Sequence, residues 1–290
     1  MTALNLVRSI SDVFTARDSH DGDGVKLKRV FSFQPHTTSA SLDPFLLLDE
    51  FSSDNPNDYI GGFPEHPHRG FETVTYMIEG LMEHRDHLGN IGRLTPGSVQ
   101  WMTAGKGVLH SEMPKQEAGL LRGLQLWVNL PAERKMQPAA YQEFSAEEMP
   151  LTTLNNGTSV KAIAGNTVIN QQEIEGVVTQ IATQALYLDM AIPINQQVTI
   201  DVPASHTVLT YLLEGEYQSP EGKVLQAHQM AKWKDGDQVT ITATEHGARL
   251  IFLSGEPINE PVVHYGPFVM NTSREIDQAI SDFQNGTLTD

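Results

Sequence analysis

A six-residue segment occurs twice in the chain, and this repeat constrains the fold more than any other feature. Residues 75–80 read TYMIEG and residues 210–215 read TYLLEG, an offset of 135 in a chain of 290 residues. A turn motif follows each copy at a similar distance, Pro96-Gly97 in one case and Asp235-Gly236 in the other, and an apolar segment comes next. Half of the chain is long enough for one β-domain. The repeat therefore predicts a duplicated domain.

Short strand-like segments recur in both halves, and Gly, Pro and Asp turns separate them. The predicted strands cover residues 25–33, 73–78, 98–103, 124–130, 186–190, 207–213, 239–244 and 250–253. Many short strands at this spacing are typical of an all-β sandwich or barrel. One helix is predicted near the C-terminus, where Thr272 and Ser273 can cap it and Asn285-Gly286 can end it. Its apolar stripe consists of Ile276, Ala279, Ile280 and Phe283.

Composition excludes several classes of protein. The chain has no cysteine, so any metal must be bound by His, Asp or Glu. Its 19 basic and 36 acidic residues give a formal charge of −17, which disfavours direct nucleic-acid binding. No apolar segment reaches the roughly 18 residues that cross a bilayer, and the first residues lack the apolar region of a signal peptide. We therefore expect a soluble, cytoplasmic protein without a nucleic-acid or membrane partner.

Two pairs of candidate ligands predict a metal site. His66 and His68 are two residues apart, as are His110 and Glu112. Residues i and i+2 of a strand point to the same face, so each pair can converge on one point. On neighbouring strands, the two pairs provide three imidazoles and one carboxylate. This ligand set suits a divalent first-row metal such as Fe(II), Mn, Ni, Cu or Zn, and it leaves coordination positions open for substrate and dioxygen or water.

The second copy of the repeat lacks this pattern. At an offset of 135, positions 66 and 68 fall on Asp201 and Pro203, and proline has no ligating side chain. The four histidines of the second half lack ligand spacing and are interpreted as surface or hydrogen-bonded residues. They are His206, His228, His246 and His264. We expect one metal per chain, in the first half, and a structural or partner-facing second half.

Three further groups of residues have open interpretations. Glu72 is an even number of positions from His66 and His68, so in an unbroken strand it would face the same side. There it can orient an imidazole or be an alternative ligand. The orienting role is favoured, and the alternative is that Arg69-Gly70 breaks the strand and Glu72 pairs with a nearby cation. His84 and His87 follow the repeat strand, and a solvated loop is favoured over the mouth of a cavity. Aromatic residues on the predicted strands of this half form either core or the wall of a ligand pocket. They are Phe71, Trp101 and Trp127.

Several long segments resemble the pirin family of the cupin superfamily. They are HPHRGFETVTYMIEG, QWMTAGKGVLHSEMP, GLQLWVNLP and GEPINEPVVHYGPFVMNTSREIDQAI, and with them the resemblance covers most of the chain. It implies a bicupin, with two β-barrel (jelly-roll) domains packed face to face and a short C-terminal helix. We place a metal-binding barrel at 1–135, a linker at 136–150 and a barrel without metal, plus the helix, at 151–290.

The resemblance also implies a ligand set. Pirins usually bind iron, and their pattern of His-x-His plus His-x-Glu matches His66, His68, His110 and Glu112. Most other cupins take the Glu ligand a few residues after His-x-His, which is Glu72 here. Fe(II) is therefore the expected metal, with Mn, Ni, Cu and Zn as alternatives.

For bacterial members, the resemblance implies a metal-dependent dioxygenase of the quercetin 2,3-dioxygenase type. Its substrates would be dioxygen and a small, flavonol-like aromatic molecule, whose hydroxyl proton Glu112 can accept. The alternative is an iron-binding, redox-sensing regulator that acts through a protein partner, as a transcriptional or metabolic co-regulator. A third possibility, sugar isomerisation by a related cupin, lacks a phosphate-binding cluster in the sequence.

Overall fold

The structure is a computed structural model, and it describes residues 6–33 and 42–290. The chain divides into two compact units. The first unit contains Arg17–Glu147 and Ile258–Asp290, and the second contains Met1–Ala16 and Glu148–Pro257. This division differs from the expected boundaries at both chain ends. An early strand pairs within the second unit, and the C-terminal segment packs within the first.

The described residues are mostly β-structure, as predicted. The strands in chain order are β1 (Ile10–Thr15), β2 (Arg17–Asp21), β3 (Val25–Ser32), β4 (Phe45–Ser53), β5 (Phe63–His68), β6 (Phe71–Glu79), β7 (Met82–Asp86), β8 (Ile91–Leu94), β9 (Val99–Thr103), β10 (Val108–Pro114), β11 (Leu121–Asn129), β12 (Ala140–Phe144), β13 (Leu151–Thr153), β14 (Ser159–Ala164), β15 (Asn166–Ile169), β16 (Gln172–Glu175), β17 (Leu186–Ile192), β18 (Gln197–Asp201), β19 (Thr207–Gln218), β20 (Val224–Gln226), β21 (Gln229–Trp233), β22 (Gln238–Gly255), β23 (Val263–Tyr265) and β24 (Phe268–Met270). The helices are α1 (Ala132–Lys135) and α2 (Ser273–Gln284), and Pro56–Asp58 forms a 3-10 turn.

The first unit contains a seven-stranded sheet and a four-stranded sheet. The seven strands are ordered β12-β9-β6-β11-β4-β3-β2, and the four are ordered β5-β10-β7-β8. Strand β12 lies within the segment expected to be a linker, and it pairs with β9. The hairpin β23-β24 and the helices α1 and α2 also belong to this unit.

The second unit repeats the centre of the first. Strand β19 carries the second copy of the repeated segment, and it pairs with β21 and β22. In the same way, β6 carries the first copy and pairs with β9 and β11. The pairing pattern confirms the duplication. Strand β1 pairs with β21, which explains why the first residues belong to the second unit.

One long strand replaces two predicted ones. Residues 239–244 and 250–253 were expected to be separate strands, but both lie in β22. The first part of β22 pairs with β18, and the last part pairs with β17. Each part therefore has its own partner, and β22 continues through Gly247, whose φ is +66°.

Helix α2 confirms the helix prediction. Thr272 caps it, and Glu275 closes a capping box by bonding back to the cap backbone. Ile276 and Ala279 are buried, and they pack against Phe268 and neighbouring apolar residues of the first unit.

The C-terminal segment also holds the backbone just after His68. Arg69 donates hydrogen bonds to Asp282 Oδ2 at 2.6 Å and to the carbonyl of Leu288 at 3.0 Å. The Lys135 ammonium donates to the carbonyl of Gly70 at 2.7 Å and to that of Val269 at 3.1 Å. Burial lowers the pKa of Lys135 to about 8. These bonds satisfy buried acceptors, and they fix the chain where it leaves the candidate site.

In the described part of the chain, neither helix has the length and apolar character needed to cross a membrane.

Candidate metal centre

Strands β5 and β10 are neighbours, as the two ligand pairs require. His110 lies directly opposite His66, and Val108 lies opposite His68. Strand β5 is the edge of its sheet, which explains how Pro67 fits between the two histidines. Proline cannot donate a ladder hydrogen bond, so within sheets it is confined to such positions.

Three imidazoles meet at this edge. One ligand atom from each of His66, His68 and His110 lies within 4.8 Å of the other two. The Nε2 atoms of His66 and His68 are 3.0 Å apart, and Nε2 of His110 is buried without a hydrogen-bond partner in the described part of the chain. Ring nitrogens placed this close together are ligands that a divalent cation can bind, and the arrangement fits such an ion.

The electrostatics keep the rings in the form that binds metal. Burial, together with neighbouring histidines, lowers the pKa of His68 and of His110 well below the ordinary value. Both rings are therefore neutral at neutral pH, and metal ligation requires the neutral imidazole. The His66 ring is oriented from its other nitrogen, since Nδ1 lies 2.7 Å from the carbonyl of Pro64.

Glu112 is buried on the same strand as His110, two residues further on. Its carboxylate lies outside the group of three histidines defined by the 4.8 Å limit. Thr75 Oγ1 donates to Glu112 Oε1 at 2.6 Å, and Gln125 Nε2 donates to Oε2 at 3.3 Å. Residues of β6 and β11, which are adjacent strands of the seven-stranded sheet, thus hold this carboxylate beside the histidines. Its role as a ligand stays a prediction.

His84 is not in a solvated loop, contrary to the favoured interpretation. It lies on β7 and is 1% exposed. Its Nε2 is 3.0 Å from Nδ1 of His110, and its strand position is opposite Glu112. The short strand after the Glu79-Gly80 turn therefore brings a fourth imidazole behind the candidate ligands. The sequence held a signal for this placement. His84 is two residues from Met82, which is buried, and residues two apart in a strand share a face.

Glu72 lies on the opposite face of β6 from the histidines. Phe71 contacts the His68 ring at 5.0 Å and Thr75 bonds to Glu112, so the odd-numbered residues face the site. The Glu72 carboxylate instead accepts a hydrogen bond from Thr103 Oγ1 at 2.7 Å. The chain turns at Gly70, whose φ is +91°, and this break separates the parity of β6 from that of β5. The placement gives Glu72 no contact that would support a direct role.

A cavity of about 610 Å³ opens beside the histidines. Its aromatic wall includes Trp127, whose ring lies 5.3 Å from that of His68 and 4.4 Å from that of Phe71. Trp101, in contrast, is core. His264, interpreted from the sequence as a surface or hydrogen-bonded residue, lines the same cavity, and its ring lies 5.6 Å from the Phe33 ring. The C-terminal segment thus contributes to the cavity of the first unit.

The second unit fills the corresponding space with side chains. Thr210 matches Thr75 in the repeat, and its hydroxyl bonds to the Tyr217 hydroxyl at 2.7 Å and to Trp233 Nε1 at 3.0 Å. Phe252 takes the strand position opposite Thr210, where Gln125 lies opposite Thr75. Among the described residues of this unit, no group of three candidate metal ligands is found. Aromatic packing thus replaces the polar site.

Comparisons with known proteins agree with this architecture. The family model described as "Pirin" matches residues 24–128, and the model described as "Pirin C-terminal cupin domain" matches residues 187–289. A Pseudomonas aeruginosa protein named "Putative quercetin 2,3-dioxygenase" is 44% identical over 284 residues, which cover 97% of this chain and 98% of that relative. Human pirin is 40% identical over 277 residues, which cover 93% of this chain and 90% of that relative.

A solved structure is similar over nearly the whole chain. The crystal structure of a quercetin 2,3-dioxygenase from Acinetobacter baumannii matches with a TM-score of 0.89 and 34% sequence identity. The match covers 98% of this chain and 99% of that one. Together with the family models, it confirms two cupin domains and a short C-terminal helix.

Proposed function

Because the chain belongs to the pirin family, we propose that it is a metal-dependent dioxygenase of the quercetin 2,3-dioxygenase type, which opens a flavonol ring with dioxygen. The observation that carries this proposal is the group of three histidines at an aromatic-walled cavity of about 610 Å³. Pockets of 300–1,000 Å³ are typical for small molecules. The names of the similar bacterial proteins support the same substrate class. A cytoplasmic location stays a prediction from the sequence.

The proposed ligands are His66, His68, His110 and Glu112, and the proposed metal is one Fe(II) per chain, with Mn, Ni, Cu and Zn as alternatives. A divalent metal bound there would supply a Lewis acid for a substrate hydroxyl and redox chemistry toward dioxygen. The hydrogen bond between His84 and His110 sets which ring nitrogen of His110 is free to bind the metal. When His110 Nδ1 donates to His84 Nε2, the proton of the neutral ring is on Nδ1, and Nε2 keeps its lone pair free.

Glu112 is the proposed acceptor of the flavonol hydroxyl proton. The Thr75 hydroxyl lies 2.6 Å from Glu112 Oε1 and also 2.6 Å from Gln125 Oε1, but it has one hydrogen to donate. With a proton on Glu112 Oε1, the carboxyl donates to Thr75, Thr75 donates to Gln125 Oε1, and Gln125 Nε2 donates to Glu112 Oε2. Every donor in this ring then has an acceptor, so the surrounding residues can hold the proton that the substrate releases.

The aromatic wall is the proposed binding surface for the flavonol rings. Trp127 lies on the cavity side of His68, and Phe71 packs behind it. A planar aromatic ligand gains from offset or edge contacts with such rings. The same apolar side chains exclude water from the reacting groups.

The proposal is tested with purified protein loaded with Fe(II) under argon. We expect dioxygen consumption that depends on quercetin, with release of one carbon monoxide per flavonol. Both atoms of dioxygen enter the opened product, and the opened flavonol ring loses the carbon monoxide. An oxygen electrode and a carbon monoxide assay measure this. A protein that holds its metal but consumes no dioxygen with any flavonol would contradict the enzyme proposal and favour the regulatory alternative.

His84→Ala is expected to weaken metal binding roughly 10–100-fold, the usual effect of losing a residue that orients a ligand. The substitution removes the hydrogen-bond partner of His110 Nδ1 but no proposed ligand. Competition with a chromogenic chelator measures the affinity. His87→Ala is the matched control, since this histidine follows the same strand and is only partly buried. Equal affinities of the two variants would show that His84 has no orienting role.

A further inference from the structure

A row of polar side chains crosses the floor of the cavity, from the candidate metal centre to its far end. On four adjacent strands of the seven-stranded sheet, Thr75 lies opposite Gln125, Gln125 opposite Asp49, and Asp49 opposite Arg29. Gln125, Asp49 and Arg29 all line the cavity. Polar side chains that lie opposite one another on a buried sheet face destabilise the fold unless they form hydrogen bonds within the protein or with a ligand.

Apolar side chains flank this row on both sides. Trp127 and Leu47 are opposite each other on one side of it, and Phe51 and Leu27 are opposite each other on the other. All four line the cavity. A ligand lying along the row therefore meets apolar surface on both sides and polar groups along its length. This pattern matches a flat, apolar molecule with hydroxyl groups on its rim.

The far end of the row is a fixed carboxylate. Arg29 donates from Nε to Asp49 Oδ1 at 3.0 Å and from Nη2 to Oδ2 at 2.8 Å, and Nη2 also donates to Asp21 at 2.8 Å. Asp49 is 4% exposed, and burial raises its pKa to about 6 even with Arg29 beside it. Each carboxylate oxygen can accept two hydrogen bonds. Asp49 therefore keeps acceptor capacity on the cavity side while its orientation is fixed from β3.

The distance between the two ends sets the length of the ligand. Thr75, which bonds to Glu112, and Asp49 are separated by two strand spacings, about 10 Å at roughly 4.8 Å each. A ligand that spans them carries one oxygen at the histidines and a hydroxyl donor near its opposite end.

We propose that Asp49, held by Arg29, accepts a hydrogen bond from a phenolic hydroxyl at the end of the substrate remote from the histidines. This inference rests on the proposed function for the other end of the molecule. It assigns the substrate class as an uncharged aromatic with hydroxyls on the distal ring. Carboxylated and phosphorylated ligands are disfavoured, because four of the five Asp, Glu and Arg side chains of the lining are acidic. The five are Asp21, Asp49, Glu65, Glu112 and Arg29, and the lining also includes His66, His68 and His264.

The test compares quercetin, which has two hydroxyls on its distal ring, with galangin, the flavonol that lacks them. Isothermal titration calorimetry on the metal-loaded protein without dioxygen gives both dissociation constants. We expect a preference for quercetin of about tenfold or more, the effect of one hydrogen bond to a charged group, and its loss in Asp49→Asn.

Asp189→Asn is the matched control. Asp189 forms the same kind of two-point pair with Arg249, at 3.2 and 2.8 Å, in the second unit. We expect this variant to keep the preference for quercetin. Arg29→Gln retains the Asp49 carboxylate but removes the guanidinium that orients it, so this variant should also show a smaller preference for quercetin. Arg29→Gln serves as the test variant if Asp49→Asn does not fold.

A wild-type protein without the preference, or an Asp49→Asn variant that keeps it, would overturn the inference. Failure of the proposed function gives a different result. In that case quercetin still binds more tightly than galangin and the preference still depends on Asp49, but oxygen-electrode measurements show no turnover.

Discussion

His110→Ala is expected to reduce the metal content from one equivalent per chain to almost none. The substitution removes a buried Nε2 that has no other hydrogen-bond partner in the described residues, and it also removes the partner of His84. Loss of a ligand should exceed by far the roughly 10–100-fold loss expected for His84→Ala. Elemental analysis of freshly purified protein, together with a metal titration, measures both quantities.

His206→Ala is the control for this experiment. His206 is also buried, and its Nδ1 lies 2.9 Å from Ser254 Oγ, but it belongs to the second unit. We expect this variant to keep its full metal content. A His110→Ala protein with one bound equivalent would mean that the ligands are assigned wrongly. Two tightly bound equivalents in the parent protein would contradict the expectation of one site in the first unit.

Glu112→Gln is expected to lower flavonol cleavage by roughly 10²–10⁴-fold even when the protein is fully loaded with metal, the usual contribution of a general base. The amide has nearly the same shape and can still bond with Thr75 and Gln125, but it cannot take the substrate proton. If Glu112 were a ligand and nothing more, excess metal would restore the activity. Initial rates measured at increasing metal concentrations separate these two cases.

Glu72→Gln is the matched control for Glu112→Gln. Both carboxylates are buried, and each accepts a hydrogen bond from a threonine, but Glu72 lies on the opposite face of β6. Burial raises the pKa of Glu72, and the amide oxygen can still accept the hydrogen bond from Thr103. We expect activity within a few-fold of the parent. A metal-saturated Glu112→Gln protein that cleaves quercetin at the parent rate would refute the proton-acceptor role.

Local patterns predicted the parts of the site that depend on strand alternation. The spacing of His66 and His68 places both on one face of β5, and the structure brings them together with His110. For Glu72 the same rule predicts the wrong face of the sheet. Side chains alternate between the two faces only within an unbroken strand. Gly70, with its positive φ, interrupts the strand between His68 and Glu72. Alternation is a local property, and one turn is enough to reset it.

The sequence by itself determined the duplicated β-architecture, the capped C-terminal helix, the histidine pairs and the absence of their counterpart in the second copy. These follow from periodicity, capping and side-chain chemistry, which act within a few residues. The tertiary structure alone decided what surrounds the histidines. Thr75 meets Glu112 across 37 positions of sequence and Gln125 across 50, and His264 reaches the cavity from the C-terminal segment. Strand pairing creates such contacts between distant residues, and neither periodicity nor composition specifies which strands become neighbours.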